Sequence, residues 1–254
     1  MDICEPSRAS DPCLADMAAG EQKCLTCPNL PRSVFRDVSA GILSRESSTR
    51  QIRTFGKHDQ IFREGEKAAH LFCIAEGFVK ISQRLESGDQ QVVALARRGD
   101  LLGLDCLSDE QTYRESVESL CPTKACVISA DAFRKTMLDS RDLNDGIIRF
   151  SRNQLNQTRE TVCRVSRNNL RNKVADVLLT LLDFFGEPHD EGIIIKPWLS
   201  REDMAAMAGT VKESFIRQLK EFKEEGIIRT VKRNILVLKT DSLEEIRIRD
   251  RLIY

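Results

Sequence analysis

The stretch LSREDMAAMAGTVKESFIRQLKEFKEEGII, residues 199–228, contains two helical patterns separated by a short turn. The first pattern begins at Ser200, whose hydroxyl suits a helix N-cap, and two acidic residues follow in its first turn. The second runs from about residue 211 to residue 223 and ends before Gly226. Because the two patterns join near Gly209-Thr210, the stretch predicts a helix-turn-helix.

The residues that follow predict a β-hairpin. They read as an apolar run, a basic turn and a second apolar run: IIRTV (227–231), KRN (232–234) and ILVLK (235–239). A helix-turn-helix followed by a hairpin is a winged helix, an arrangement that commonly binds DNA. The basic turn lies where a wing would contact phosphate.

The start of the second helix carries a candidate base-reading face. Glu213 and Arg217 are one helical turn apart and share a face, while Phe215 and Leu219 form the opposite apolar side. Arginine can donate two hydrogen bonds to guanine, and glutamate can accept one from cytosine N4. The alternative is that Glu213 and Arg217 form a surface ion pair. The predicted DNA contacts are Ser200, Arg201, Lys212, Glu213, Ser214, Arg217, Lys232 and Arg233.

Upstream, residues 51–130 have the pattern of an antiparallel barrel or jelly roll. Glycines recur about every ten residues, with short β-favouring runs between them. Examples of these runs are LFCI (71–74), FVKIS (78–82), QVVAL (91–95) and ACVIS (125–129).

Between the barrel and the helix-turn-helix, residues 144–167 predict one long helix. Apolar residues recur every seven positions, and a second set fills the offset positions, as in a helix that pairs with another helix. The predicted dimer seam is Ile148, Leu155, Thr158, Val162 and Val165. The alternative is an ordinary amphipathic helix packed on its own domain, but the charged flanks leave a narrow apolar stripe that better suits a dimer seam.

Composition narrows the class of protein. The chain has 254 residues, with 39 Lys and Arg and 39 Asp and Glu. The net charge of zero conceals an uneven distribution, because the residues up to Asp145 carry a net charge of −4 and those after it carry +4. No apolar run approaches the roughly eighteen residues of a membrane helix, and the N-terminus lacks the pattern of a secretory signal. We therefore expect a cytoplasmic protein with no membrane partner, whose nine cysteines do not form a disulfide scaffold.

Residues 199–228 closely resemble the DNA-binding domain of the Crp/Fnr family of bacterial transcription regulators. GDLLGLDCLSDE (99–110) and FREGEKAAHLFCIAEGFVKI (62–81) resemble that family's effector β-roll. The resemblance covers about residues 50–240 and is closer to the fumarate–nitrate (Fnr) type than to the cyclic-AMP receptor type.

The resemblance implies an α+β homodimer with an N-terminal antiparallel β-roll, a cyclic-nucleotide-binding-like jelly roll. A long dimerisation helix and a C-terminal winged helix-turn-helix follow. We expect a cysteine-rich segment at 1–30, the sensor β-roll at 31–140, the dimerisation helix at 141–168 and the DNA-binding domain at 169–254. The family reads DNA with a Glu and an Arg that match Glu213 and Arg217. The implied partners are palindromic double-stranded DNA with TGA-like half-site cores and RNA polymerase.

Cyclic-nucleotide-binding members of the family carry a Glu after the barrel's glycine turn and an Arg-Ser pair that holds the phosphate. Here the Glu position is Leu104, and the phosphate segment includes Arg114 and Glu115. Since Glu115 would repel a phosphate, we do not expect a cyclic nucleotide.

The cysteines favour a different sensor. Cys24 and Cys27 form a CxxC motif, whose two sulfurs can bind one metal or one cluster edge. Fnr-type members hold a [4Fe–4S] cluster with three N-terminal cysteines and one from the barrel, which Cys126 matches. The third N-terminal cysteine should follow Cys27 by about six residues, where this sequence has none. We therefore expect Cys13, or Cys4, to substitute through a longer loop, which gives the metal ligands Cys13, Cys24, Cys27 and Cys126.

Several alternatives stay open at this point. Cys121 competes with Cys126 for the barrel ligand, while Cys73, Cys106 and Cys163 are expected to be small buried side chains. Instead of a cluster, the N-terminal cysteines could form a disulfide on oxidation, or His58 or His70 could bind haem. Another class of protein, an interaction module without DNA binding, would also tolerate the modest charge of +4. A metal-dependent enzyme is not expected, since the two histidines lack an HxH or HxD pairing.

Overall fold

The computed structural model describes residues 24–86, 88, 90–108, 112–165, 169–196 and 198–248. These residues form two compact units. The first holds most of the β-roll and the long helix as far as Leu155. The second holds residues Leu85–Val92, the rest of that helix and the C-terminal domain.

The β-roll consists of two four-stranded sheets, with strand orders β1-β8-β3-β6 and β2-β7-β4-β5. The strands are Gln51–Phe55 (β1), Gln60–Phe62 (β2), His70–Glu76 (β3), Phe78–Arg84 (β4), Gln90–Arg97 (β5), Leu101–Leu102 (β6), Ser116–Ser119 (β7) and Thr123–Ser129 (β8). This confirms the predicted antiparallel roll, in which the glycine-punctuated runs are the strands.

The pairing of β3 with β8 places two cysteines opposite each other. The pairing is antiparallel, with Phe72 opposite Val127 and Cys73 opposite Cys126. Opposite residues of an antiparallel pair point to the same face, so Cys73 and Cys126 share one face of the sheet. Phe72 and Val127 share the other, and both are buried in the core of the roll.

A segment before the roll covers this sheet. It contains short 3₁₀ turns at Cys24–Thr26 and Leu30–Arg32 and the helix Ala40–Thr49 (α1). Its buried apolar side chains belong to the same core as the strands and are Cys24, Val34, Phe35, Val38 and Leu43. Residues 24–38, which precede α1, are called the covering segment, and they belong to the first unit.

Two helices follow the roll, Ala130–Asp139 (α2) and Arg141–Val165 (α3). α2 begins at an N-cap, where the Ser129 hydroxyl accepts a hydrogen bond from the Ala132 amide. α3 is the long helix. Its start is anchored in the core by Leu143, whereas three large apolar side chains of the predicted seam are exposed: Ile148 by 64%, Leu155 by 49% and Val162 by 62%. Thr158 is exposed as well, and the side chain of Val165 lies outside the described residues.

The covering segment packs closely against the start of α3. Gly146 lies so near the Val34 carbonyl oxygen that a Cβ atom at this position would collide with it. Glycine inside a helix costs up to about 1 kcal/mol relative to alanine, and this close approach gives a physical reason for it here. Beside this contact, Arg149 Nη2 lies 2.6 Å from Asp37 Oδ2.

The second unit is a winged helix-turn-helix, as predicted, on a four-stranded sheet of order β11-β12-β10-β9. Its elements are Leu170–Phe185 (α4), Gly186–His189 (β9), Gly192–Ile195 (β10), Arg201–Met207 (α5), Lys212–Glu224 (α6), Ile228–Val231 (β11), Asn234–Val237 (β12) and Thr240–Ile248 (α7). The turn between α5 and α6 uses Gly209 at φ +60°, a left-handed conformation that glycine adopts without a Cβ penalty.

Candidate functional site

Helix α6, the second helix of the helix-turn-helix, is fixed by its apolar side. Phe215 and Phe222 are fully buried, and the guanidinium of Arg171 lies 4.9 Å from the centre of the Phe222 ring. Arg171 also forms a two-pronged ion pair with Glu225, at 2.5 and 2.6 Å. These contacts tie the C-terminal end of α6 to α4 and turn the opposite face of α6 to solvent.

Glu213 and Arg217 both lie on that exposed face. Within α6, which is described throughout, no ion pair joins them, whereas Lys220 and Glu224 further along do form such a pair. The surface-pair alternative is therefore not the arrangement observed. Two exposed apolar side chains, Val211 and Ile216, accompany them.

Two other predicted contact residues near the helix starts, Ser200 and Lys212, have partners within the domain. Ser200 and Asp203 form a capping box: the Ser200 hydroxyl accepts from the Asp203 amide at 3.0 Å, and the Asp203 carboxylate accepts from the Ser200 amide at 3.1 Å. Lys212 is ion-paired with Glu202. Ser214 is partly buried at the start of α6.

Arg201 links the helix-turn-helix to the wing. Its Nη2 donates to the carbonyl of Arg233 at 3.4 Å, and its Nη1 lies 3.2 Å from the Met204 sulfur. Burial lowers the pKa of Arg201. Its position therefore suits a brace for the wing, while Lys232 and Arg233 are exposed at the tip, where Lys232 has φ +56°.

A second candidate site is a pocket between the covering segment and the β-roll, here called the cysteine pocket. Four cysteines line it: Cys24, Cys27, Cys73 and Cys126. The other lining residues are Asn29, Leu30, Ser33, Phe35, Arg50, Ile74, Ala75 and Ile128. The covering segment is held against the strand by Asn29, whose buried amide donates to the Ala75 carbonyl at 2.9 Å.

Burial in the pocket favours the protonated form of its two strand thiols, because it raises the pKa of Cys73 and of Cys126. Burial raises the pKa of Cys73 well above its usual range, and neighbouring cysteines raise it further. Burial likewise raises the pKa of Cys126 to about 11, which Arg50 opposes from 3.6 Å away. Such thiols are weak nucleophiles on their own, and metal binding would displace their protons.

The structure places the remaining candidate cysteines elsewhere. Cys13 and Cys4 lie outside the described residues. Cys121 is buried beside β8 and does not line the cysteine pocket, and Cys106 is buried in the 3₁₀ turn after β6. The expectation that Cys73 is merely a small buried side chain is not what the geometry shows, because it faces the pocket with the CxxC pair.

No three His, Cys, Asp or Glu side chains within the described ranges are close enough to hold a single metal ion. Four thiols nevertheless line one pocket, and both iron–sulfur clusters and structural zinc sites can take four thiolates. The donor set therefore fits a thiolate-bound metal group.

The alternative sensor residues have other surroundings. His58 lies 2.9 Å from Glu118 on an exposed surface, and neither His58 nor His70 lines the cysteine pocket. In the phosphate segment, burial and, secondarily, Asp105 raise the pKa of Glu115 to about 7. Arg114 is exposed, and its amide donates to the Asp105 carboxylate at 3.3 Å.

Comparison with known proteins identifies the class. Residues 52–140 match the cyclic nucleotide-binding domain family and residues 172–246 match the Crp-like helix-turn-helix domain family, together nearly two thirds of the chain. The chain belongs to the Crp/Fnr family of transcription regulators. It is a DNA-binding regulator and not an enzyme, and regulators of this type are typically dimeric.

Three relatives illustrate the similarity. The chain is 22% identical to the CRP-like cAMP-activated global transcriptional regulator of Mycobacterium tuberculosis over 210 residues, covering 83% of this chain and 94% of that protein. It is 25% identical to the global nitrogen regulator of Synechococcus elongatus over 231 residues, covering 90% and 99%. The solved structure of FixK2 from Bradyrhizobium japonicum matches with a TM-score of 0.68 at 19% identity, covering 78% and 96%.

Among the described residues, no helix is both long enough and apolar enough to cross a membrane.

Glu115 gives a prediction on pH. Its pKa rises on folding from 4.5 to about 7, so the unfolded chain releases this proton first and the free energy of unfolding falls between these pH values. Above about pH 7 the contribution of Glu115 to the free energy of unfolding no longer changes with pH. Glu115→Gln should remove this fall, as measured by chemical denaturation across the range. The exposed Glu86→Gln is the control and should keep the fall in the free energy of unfolding. A native pH profile in Glu115→Gln would contradict the raised pKa of Glu115.

Proposed function

We propose that this protein is a homodimeric, sequence-specific transcription regulator of the Fnr type, gated by a cysteine-ligated iron–sulfur cluster that responds to redox state or oxygen. The observation that carries the gating is the cysteine pocket, which is enclosed by the same segment that packs against α3. The protein would act in the cytoplasm and meet RNA polymerase at promoters.

The DNA reading follows from the exposed face of α6. Arg217 would donate to guanine and Glu213 would accept from cytosine, which supports a TGA-like core in each half-site. The exposed Val211 and Ile216 suit contact with thymine methyl groups. Lys212, Ser214, Lys232 and Arg233 would bind phosphate, Ser200 would orient the first helix, and Arg201 would brace the wing.

The dimer would form along α3. Ile148, Leu155 and Val162 are exposed at seven-residue spacing on one helix, and a second copy of the same helix would bury them. A two-fold dimer presents two reading helices to a palindromic site. A change at the start of α3 would then act on both half-sites together.

The covering segment offers a physical link from sensor to dimer helix. Cys24 and Cys27 lie at one end of it, and Val34 packs against Gly146 of α3 near the other. A bound cluster would supply negative charge and a rigid centre that ties this segment to β3 and β8. Loading would therefore fix the position of the segment against α3, and release would free it.

The structure favours this sensor over its rivals. A disulfide switch of the N-terminal cysteines needs accessible, readily ionised thiols, whereas Cys24 is buried. Haem would need a histidine at a suitable pocket, and His58 is instead paired with Glu118. A cyclic nucleotide would meet the carboxylates of Asp105 and Glu115 at its phosphate, so we infer that the roll does not bind one.

DNA reading is tested by two matched substitutions. Arg217→Ala should weaken binding to the palindromic site by about tenfold or more, since a bidentate base contact is worth about 1–3 kcal/mol, and should leave non-specific binding nearly unchanged. Lys232→Ala should weaken specific and non-specific DNA binding alike, and it should lower the slope of log affinity against log salt by about 1. Fluorescence anisotropy on a specific and a scrambled duplex measures both effects. Equal loss on the two duplexes for Arg217→Ala would refute the base-reading role.

The dimer seam is tested by charge. Leu155→Glu should raise the dimer dissociation constant by about a hundredfold or more, because it places two carboxylates in an apolar seam. Leu138→Glu is the matched control, since Leu138 is 87% exposed on α2 and lies outside the seam. Sedimentation equilibrium measures the dimer dissociation constant of both variants. A dimer that survives Leu155→Glu but not Leu138→Glu would place the interface elsewhere.

A further inference from the structure

We propose that Cys73 is the fourth cluster ligand, so that the site is Cys24, Cys27, Cys73 and Cys126. This inference rests on the cluster proposed above and changes its ligand set. It replaces the third N-terminal cysteine with a residue of the β-roll itself, and it makes Cys4 and Cys13 dispensable for the cluster.

The strand register supports this assignment. Cys73 and Cys126 are cross-strand partners in the antiparallel pair of β3 and β8. Their side chains leave the same face of the sheet, with Cβ atoms about 5 Å apart in such pairs. That face is the one covered by the segment that carries Cys24 and Cys27, and all four side chains line the same pocket.

The position expected for the third N-terminal cysteine is occupied by Ser33, six residues after Cys27. Ser33 lines the cysteine pocket, but its hydroxyl is used locally: it donates to the Leu30 carbonyl at 2.9 Å and accepts from the Phe35 amide at 3.2 Å. The segment thus keeps its turn at this point without supplying a thiol. The thiol on this side of the pocket comes from β3.

Charge and spacing favour the same ligand set. Four thiolates around a cluster leave net negative charge, and Arg50 faces Cys126 from within the pocket lining. Each thiol would lose its proton to solvent as its sulfur bonds to iron, with no change in the oxidation state of sulfur. The strand register sets the spacing of Cys73 and Cys126, and a lining of four thiols provides the ligands that a cluster takes.

The test is anaerobic reconstitution of the full chain with ferrous iron, ferric iron and sulfide. Native protein should retain about four iron and four sulfide per chain and absorb in the visible range. Cys73→Ala should retain less than about a tenth of that iron. Cys13→Ala and the buried Cys106→Ala are matched controls and should load like the native chain.

A rescue variant separates ligand loss from damage to the fold. Adding Ser33→Cys to Cys73→Ala returns a thiol to the same pocket and should restore iron and sulfide. Far-ultraviolet circular dichroism should show native helix and strand content in each variant, and Cys73→Ser serves if Cys73→Ala does not fold.

The outcomes distinguish this inference from the function on which it rests. A native chain that binds no iron, or binds a single zinc ion, would refute the cluster itself. A native chain that loads while Cys73→Ala loads equally, or while Cys13→Ala fails to load, would overturn the assignment of Cys73 and leave the cluster standing. Loss in Cys73→Ala with retention in Cys13→Ala establishes it.

Discussion

The close approach of the Val34 carbonyl to Gly146 is the constraint on which the sensor half depends. At this contact the covering segment rests on α3 with no side chain between the two backbones. Because packed interiors do not deform smoothly, a shift of the segment by a fraction of an ångström cannot be absorbed here. The other end of the same segment carries the CxxC pair, so in the proposed mechanism events in the cysteine pocket act on α3.

The helix-turn-helix is organised differently, because one side of α6 is anchored in a core and the other side stays exposed. Phe215 and Phe222 anchor α6 in a core, and the ion pair of Arg171 with Glu225 holds its far end. The two side chains of α6 that are predicted to read bases remain exposed to solvent on the other side of the helix. The mild charge of the second half fits this arrangement, since recognition through a few aimed contacts needs less non-specific attraction to the phosphate backbone.

Local pattern predicted the elements well where sequence neighbours decide them. The helix-turn-helix, the wing and the strands of the roll each follow from periodicity and turn residues, and the structure confirms them. The hairpin of β9 and β10, the helix α7 and the covering segment were not predicted. Strand β9 is exposed at every residue and has no apolar pattern, whereas the burial of the covering segment depends on distant partners. Cys73 shows most clearly what local pattern cannot predict. The residues around it predict a buried strand, and only the register between β3 and β8 brings Cys73 opposite Cys126.

The central claim is that the cysteine pocket controls DNA affinity through α3. The most direct measurement is the dissociation constant for the palindromic duplex, taken anaerobically at fixed salt for iron-loaded and iron-free protein. The account predicts that the two constants differ by about tenfold or more, a coupling free energy of about 1.4 kcal/mol or more. Equal constants, with iron and sulfide present in one sample and absent from the other, would contradict it.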